Sequence, residues 1–189
     1  GGIALVLLFL LSVRVGLFGK LPTFKDLENP KSNLASEIIT DDNNVLGTYY
    51  VHNRSNVKYS ELSPYLIQAL VSTEDKRFYE HSGIDYSRTF STVVLTLGGN
   101  KQGGSTITQQ LALNLFGEAR ARNSVKRVMQ KLQEWITAVR LERNYTKEEI
   151  IMMYFNTVDF GAYNTFGIKS AARTFFNTTP DKLTPAQSA

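Results

Sequence analysis

Helix-start signals recur along the second half of the chain and leave room for little but a helical fold. Ser63-Pro64 sets an N-cap residue before a proline suited to the first helical turn. Thr106 and Gln109 stand in capping-box positions, as do Thr146 and Glu149, and again Thr184 and Gln187. In such a box a hydroxyl and a side-chain carbonyl or carboxylate answer two of the amide donors that a helix leaves without partners. The expected helices run from Ser63-Pro64 to about Asp75, Thr106 to Phe116, Ser124 to about Arg143, Thr146 to about Asn156 and Gly167 to Phe176. A further one opens at Thr184-Pro185, close to the last residue, Ala189. With 189 residues the chain suits one globular domain with short appendages.

The first third reads differently. Ile3 to Val13 is an uncharged apolar run followed by Arg14. A bilayer crossing takes roughly 20 apolar residues, so residues 1–18 read as the end of a longer membrane span. A signal-peptide core and a buried helix are the other readings. Lys20 to Leu34, with Pro22 and Pro30, reads as a juxtamembrane linker. Ala35–Thr40 and Val45–Val51, rich in β-formers and separated by Asp41-Asp42-Asn43-Asn44, read as a small β-hairpin. The expected organisation is an anchor end over 1–18, linker and hairpin over 19–60, and a mainly α domain over 61–189, cut at its C-terminal side.

Composition narrows the chemistry. The chain has no cysteine, which excludes disulfides and thiolate metal sites, and only His52 and His81 as histidines, which argues against a histidine-built metal centre. A net charge of +4 suits an anionic partner. The cations are not gathered into a recognition helix or aromatic platform, so no nucleic acid is expected.

Three segments carry candidate chemistry. In the first helix Leu66, Ile67 and Leu70 form an apolar stripe, Glu74 falls on it and Asp75 projects away. A carboxyl held on such a face is tuned toward acid–base work; if the helix frays near Ser72, Glu74 is simply exposed. In the third helix Val125, Val128, Leu132, Trp135, Ile136 and Val139 share the face expected to meet the core, opposite Arg127, Gln130, Lys131 and Glu134. That polar face is either solvated or a carboxylate flanked by cations for an anionic substrate. Gly103-Gly104-Ser105-Thr106 runs into a helix start, either a turn or an anion cradle, and Gln109-Gln110 add two amides.

Together these segments resemble the glycosyltransferase domain of class A penicillin-binding proteins and their monofunctional relatives, glycosyltransferase family 51. Glu74-Asp75-Lys76-Arg77-Phe78-Tyr79-Glu80-His81-Ser82-Gly83 is similar to the family's E-D-x-x-F-x-x-H-x-G, and Gly103 to Gln110 to its G-G-S-T-I-T-Q-Q. Lys131 to Glu134 resembles K-x-x-E, Lys147 to Asn156 the fourth motif, and Gly167-Ile168 with Ala171-Ala172 the fifth, all in the family's order. The resemblance implies a lysozyme-like helical fold that joins lipid II into glycan strands at the outer face of the bacterial cytoplasmic membrane, alongside other wall-synthesis proteins. It implies Glu74 as general base, and Glu134 on the leaving-group side, positioning basic side chains or a divalent cation such as Mg²⁺. Arg77, Ser105, Thr106, Gln109 and Gln110 match substrate-binding segments, while Lys126, Arg127 and Lys131 face the pyrophosphate. Asp75, Phe78, His81, Gly83, Gly104 and Asn156 are implied to shape the site. A glycan hydrolase on the same kind of fold and a non-catalytic membrane-anchored scaffold are the alternatives.

The sequence departs from the pattern in places. Leu113 stands where the family usually has a phosphate-binding Lys, Gln130 where Arg is common, and Lys169 where Glu is frequent. Arg122 or Lys126 is expected to supply the charge missing at Leu113.

Overall fold

A computed structural model of the protein describes residues 36–39, 45–49, 53–54, 56–89, 91, 103–116, 123–161 and 165–189. The expected membrane anchor, the linker, the Asp41–Asn44 turn and Arg122 lie outside the described residues. Among the described residues no helix is long and apolar enough to cross a membrane.

The described part is mainly helical. Its helices are α1 (Pro64–Glu74), α2 (Ile107–Phe116), α3 (Ser124–Asn144), α4 (Lys147–Thr157), α5 (Ile168–Phe176) and α6 (Pro185–Ser188). All three expected capping boxes form. The Thr146 hydroxyl accepts from the Glu149 N–H and the Glu149 carboxylate accepts from the Thr146 N–H; Thr184 with Gln187, and Thr106 with Gln109, do the same. Ser63 is the exception. Its hydroxyl donates to the Leu183 carbonyl at 3.1 Å, so it ties the start of α1 to the approach of α6 and makes no cap. At the end of α5, Asn177 takes the left-handed conformation (φ 50°) that often terminates helices.

Strand pairing is slight. β1 (Ser36–Ile39) and β2 (Val45–Tyr49) pair antiparallel, with an irregularity between Ile38 and Ile39. β3 (Asn53–Arg54) pairs in parallel with β4 (Thr165–Phe166), bringing the chain ahead of α1 beside the start of α5.

The core gathers where α2 packs against both α3 and α4. Phe78, Ile107, Leu111, Leu141, Ile150 and Ile151 are wholly buried there, and fully burying a side chain of this size stabilises by about 1.5–3 kcal/mol. α3 corrects the sequence expectation. Val128, expected in the core, is 58% exposed, and Leu132, Trp135, Ile136 and Val139 are half-buried. The buried positions are Gln130, Glu134, Thr137, Ala138 and Leu141. The polar face of α3 therefore turns inward at its middle. It does so because Glu134 has an ammonium partner there and because Ala138 is small enough for another backbone to approach.

Candidate active site

α1 stops at Glu74, and the next residue leaves the helix. Asp75 has φ −157° and ψ 74°, so the helical projection that sent it away from the core does not apply to it. It is 1% exposed, and its carboxylate accepts from the Ile107 N–H at 3.1 Å and from His81 Nε2 at 3.0 Å. A carboxylate at the first amides of α2 answers both an unpaired donor and the positive end of the helix. The Gly83 N–H donates to His81 Nδ1 at 3.2 Å, which leaves Nε2 as the nitrogen that carries the proton.

The same loop is fastened on three further sides. Gly83 has φ +92°, and a Cβ there would lie 2.8 Å from the Ala138 carbonyl oxygen of α3. Only glycine meets both demands. The Thr106 hydroxyl donates to the Gly83 carbonyl at 2.7 Å. Lys147 donates to the His81 carbonyl at 2.7 Å and to Glu142 at 2.8 Å, with its ammonium 4.3 Å from the centre of the Phe78 ring. Thr106 and Gln109 were expected to touch substrate. They are 0% and 1% exposed, and both serve the α2 cap.

Glu74 sits in a different setting. It is half-buried, and its Oε2 accepts from Gln110 Nε2 at 2.8 Å. The Tyr154 hydroxyl donates to Gln110 Oε1 at 3.3 Å. Burial, and secondly the Glu74 charge, push this hydroxyl up to about 12. Arg88 donates to the Glu74 backbone carbonyl and, at 3.1 Å, to that of Gly103, bridging the end of α1 to the start of the Gly-Gly segment.

Ser105 opens onto the second carboxylate. Lys131 Nζ donates to the Ser105 hydroxyl at 2.8 Å and to Glu134 Oε2 at 2.6 Å, and Glu134 is 6% exposed. The Gly103–Gln110 segment thus reaches Glu74 through Gln110, and Glu134 through Ser105 and Lys131. Gly104 immediately precedes Ser105 and is half-buried, while Lys126 and Arg127 are exposed on the first turns of α3. Leu113 lies one turn past Gln110 on α2, half-buried. No group of three or more His, Cys, Asp or Glu side chains gathers among the described residues. At Glu134 the Oε2 oxygen is paired with the Lys131 ammonium.

Arg77 lies elsewhere. It pairs with Asp85 through Nε at 3.0 Å and a terminal nitrogen at 2.5 Å. Both line a cavity of about 690 Å³ with Glu80, His81 and Tyr86, which includes none of Glu74, Ser105, Gln110, Lys131 or Glu134. Burial alone would raise the Asp85 carboxyl; the Arg88 N–H and then the Arg77 guanidinium outweigh it and hold the group below the usual carboxylate range. Asn156 is structural: its amide exchanges two hydrogen bonds with the Val57 backbone, at 2.8 and 2.9 Å.

Sequence reasoning missed Asp85, Arg88 and Tyr154. Asp85 had a signal, since an Asp whose carboxylate caps the amide three residues on opens the helical turn at 86–89. Arg88 had none, because its partners are distant in sequence, and Tyr154 lay inside the fourth motif without any sign of its distant partner Gln110.

Residues 42–189 match the transglycosylase family. The chain is 35% identical over 167 residues to penicillin-binding protein 1A of Escherichia coli (strain K12), covering 87% of this chain and 19% of that protein. It is 36% identical over 157 residues to penicillin-binding protein 1F of Bacillus subtilis (strain 168), covering 82% and 21%. Against penicillin-binding protein 2D of the same organism it is 34% identical over 176 residues, covering 92% and 24%. The chain spans about a fifth of the length of these curated relatives.

Proposed function

The chain belongs to the transglycosylase family, and from that premise we propose that it is a peptidoglycan glycosyltransferase that polymerises lipid II into β-1,4-linked glycan strands. The observation that carries this reading is the double attachment of the Gly103–Gln110 segment, by Gln110 to Glu74 and by Ser105 and Lys131 to Glu134. One segment thereby joins the half-buried Glu74 carboxylate to an ammonium held between Ser105 and Glu134.

In the proposed reaction the GlcNAc 4-hydroxyl of lipid II attacks C1 of the MurNAc at the reducing end of the growing strand. Glu74 takes the hydroxyl proton, the new C1–O bond forms from the opposite face, and the bond from C1 to the pyrophosphate oxygen breaks. An α-linked donor so gives a β product, and undecaprenyl pyrophosphate departs. Charge that builds on the departing pyrophosphate is met by the Lys131 ammonium and the Ser105 hydroxyl, groups already held in place before reaction. Glu134 keeps Lys131 extended toward Ser105 and is the counter-charge that makes a half-buried ammonium tolerable. The lysozyme-like fold, the anchor over 1–18, the domain boundary at 61 and the outer face of the cytoplasmic membrane as the site of action belong to the same proposal.

Incubation of the purified protein with lipid II tests it. Glycan strands should lengthen, and Glu74→Gln should slow lengthening by about 10²–10⁴-fold, the usual contribution of a positioned general base. Polymerisation at the parental rate by Glu74→Gln sinks the mechanism.

A further inference from the structure

A primary amide presents a donor end and an acceptor end of nearly the same shape, and only its partners decide which way it points. Gln110 has a partner at each end: the Glu74 carboxylate at Nε2 and the Tyr154 hydroxyl at Oε1. A carboxylate can only accept. Reversing the amide would set its carbonyl against that carboxylate and leave the hydroxyl without its acceptor, so both contacts fail together. Tyr154 is also poorly placed to move. It is 7% exposed, its ring meets Phe155 edge-on at 5.8 Å, and two residues later Asn156 pins α4 to the Val57 backbone.

From this geometry we infer that Tyr154 is a positioning residue for the reaction: by donating to Gln110 it keeps the amide's NH₂, and not its carbonyl, on Glu74. The inference rests on the reading of Glu74 as the base. The raised Tyr154 hydroxyl keeps its proton, and its donor role, at any pH near neutrality. Other charged groups around Glu74 are Arg88 at its backbone carbonyl, the Lys131–Glu134 pair reached through Ser105, and Asp75, whose carboxylate is turned to His81 and Ile107. Each of them is engaged with a partner other than the Tyr154 hydroxyl, which is turned to Gln110.

The test is the pH profile of kcat/KM for lipid II polymerisation by the full chain, for Tyr154→Phe, Gln110→Ala and the double variant. With the hydroxyl gone the amide keeps only the Glu74 contact to orient it, and the acidic limb should move up, by less than the roughly one pH unit that a whole hydrogen bond to a charged group is worth. The basic limb should stay. Gln110→Ala should move the acidic limb at least as far, and adding Tyr154→Phe should move it no further, since the second residue acts through the first. A residue that only packs would lower Tm and leave the limb in place. An unmoved limb in Tyr154→Phe, or an equal further shift in the double variant, overturns the inference. Should Tyr154→Phe not fold, an unmoved limb in Gln110→Ala overturns it as well. Failure of the underlying reading is separate and visible, as polymerisation by Glu74→Gln at the parental rate.

Discussion

Glu74 and Asp75 are neighbours in the chain and belong to two different regions of the molecule. Asp75 lies inside a closed knot with His81, Gly83, Thr106 and the first amide of α2, where each named polar group meets another part of the protein. Glu74 lies on the rim, half-buried, with one side-chain hydrogen bond, from Gln110, among the described residues. The difference follows from a single backbone event: the helix ends between them, so Asp75 turns inward while Glu74 keeps its place on the last turn. The knot holds the shape; the rim keeps a carboxylate with capacity left for a ligand.

Substitution of the pair is the strongest way to break that comparison. Glu74→Gln should cost about 10³-fold in polymerisation, roughly 4 kcal/mol, and leave the unfolding midpoint where it was. Asp75→Ala should do the reverse first, lowering stability by about 3 kcal/mol, because the Ile107 amide and His81 Nε2 both lose their acceptor inside the protein. Denaturant unfolding alongside the lipid II assay separates the two. Equal loss of stability in both variants would mean that the knot and the rim are one cooperative unit and the division is wrong.

Much of the knot was legible in the sequence, and the rim much less. Thr106–Gln109 and Thr146–Glu149 announce their helices because a capping box is local, spanning four residues. Gly83 and His81 carried their motif positions but not their partners, since Ala138 and Asp75 reach them through tertiary packing. α3 misled. Its apolar stripe has helical spacing and yet Val128 stays exposed, while Gln130, Glu134 and Thr137 are buried. Periodicity reports which residues share a face; it does not report which face the neighbours can satisfy. Here Lys131 neutralises Glu134 and Ala138 admits Gly83, and these pairings outweigh the apolar count. Arg77 has a partner that its motif does not announce, because Asp85 pairs with its guanidinium.

Asp85 sharpens the edge of the knot and should show a smaller effect. Its carboxyl is held below its ordinary value, so the stability it adds is present above the usual carboxylate pKa of about 4 and is lost as pH falls through the lowered folded value. Asp85→Asn should be less stable than the parent at neutral pH by about 1 kcal/mol, a modest figure because Arg77 is 44% exposed and its charge is screened. The gap between the two proteins should close on acidification below about pH 4. A gap that widens there would mean that another group carries the acid response.

The smallest expected effect concerns the cation side of the rim, where the sequence departs from its family at Leu113. Lys131 already stands against Ser105, and Lys126 is exposed one helical stretch earlier on α3. Arg122 precedes α3 by two residues in the sequence. If one of these supplies the charge that Leu113 lacks, Arg122→Ala or Lys126→Ala should slow polymerisation by more than about twofold, roughly 0.4 kcal/mol, with KM for lipid II rising more than kcat falls. Lys126→Ala should leave the unfolding midpoint in place, because an exposed cation on a helix start contributes little to stability. Raising ionic strength should narrow the difference from the parent, as it does for charges that meet a ligand across solvent. If both variants stay within twofold, neither supplies the charge that Leu113 lacks, and the pyrophosphate is left to Arg127 and to the Lys131 ammonium held between Ser105 and Glu134.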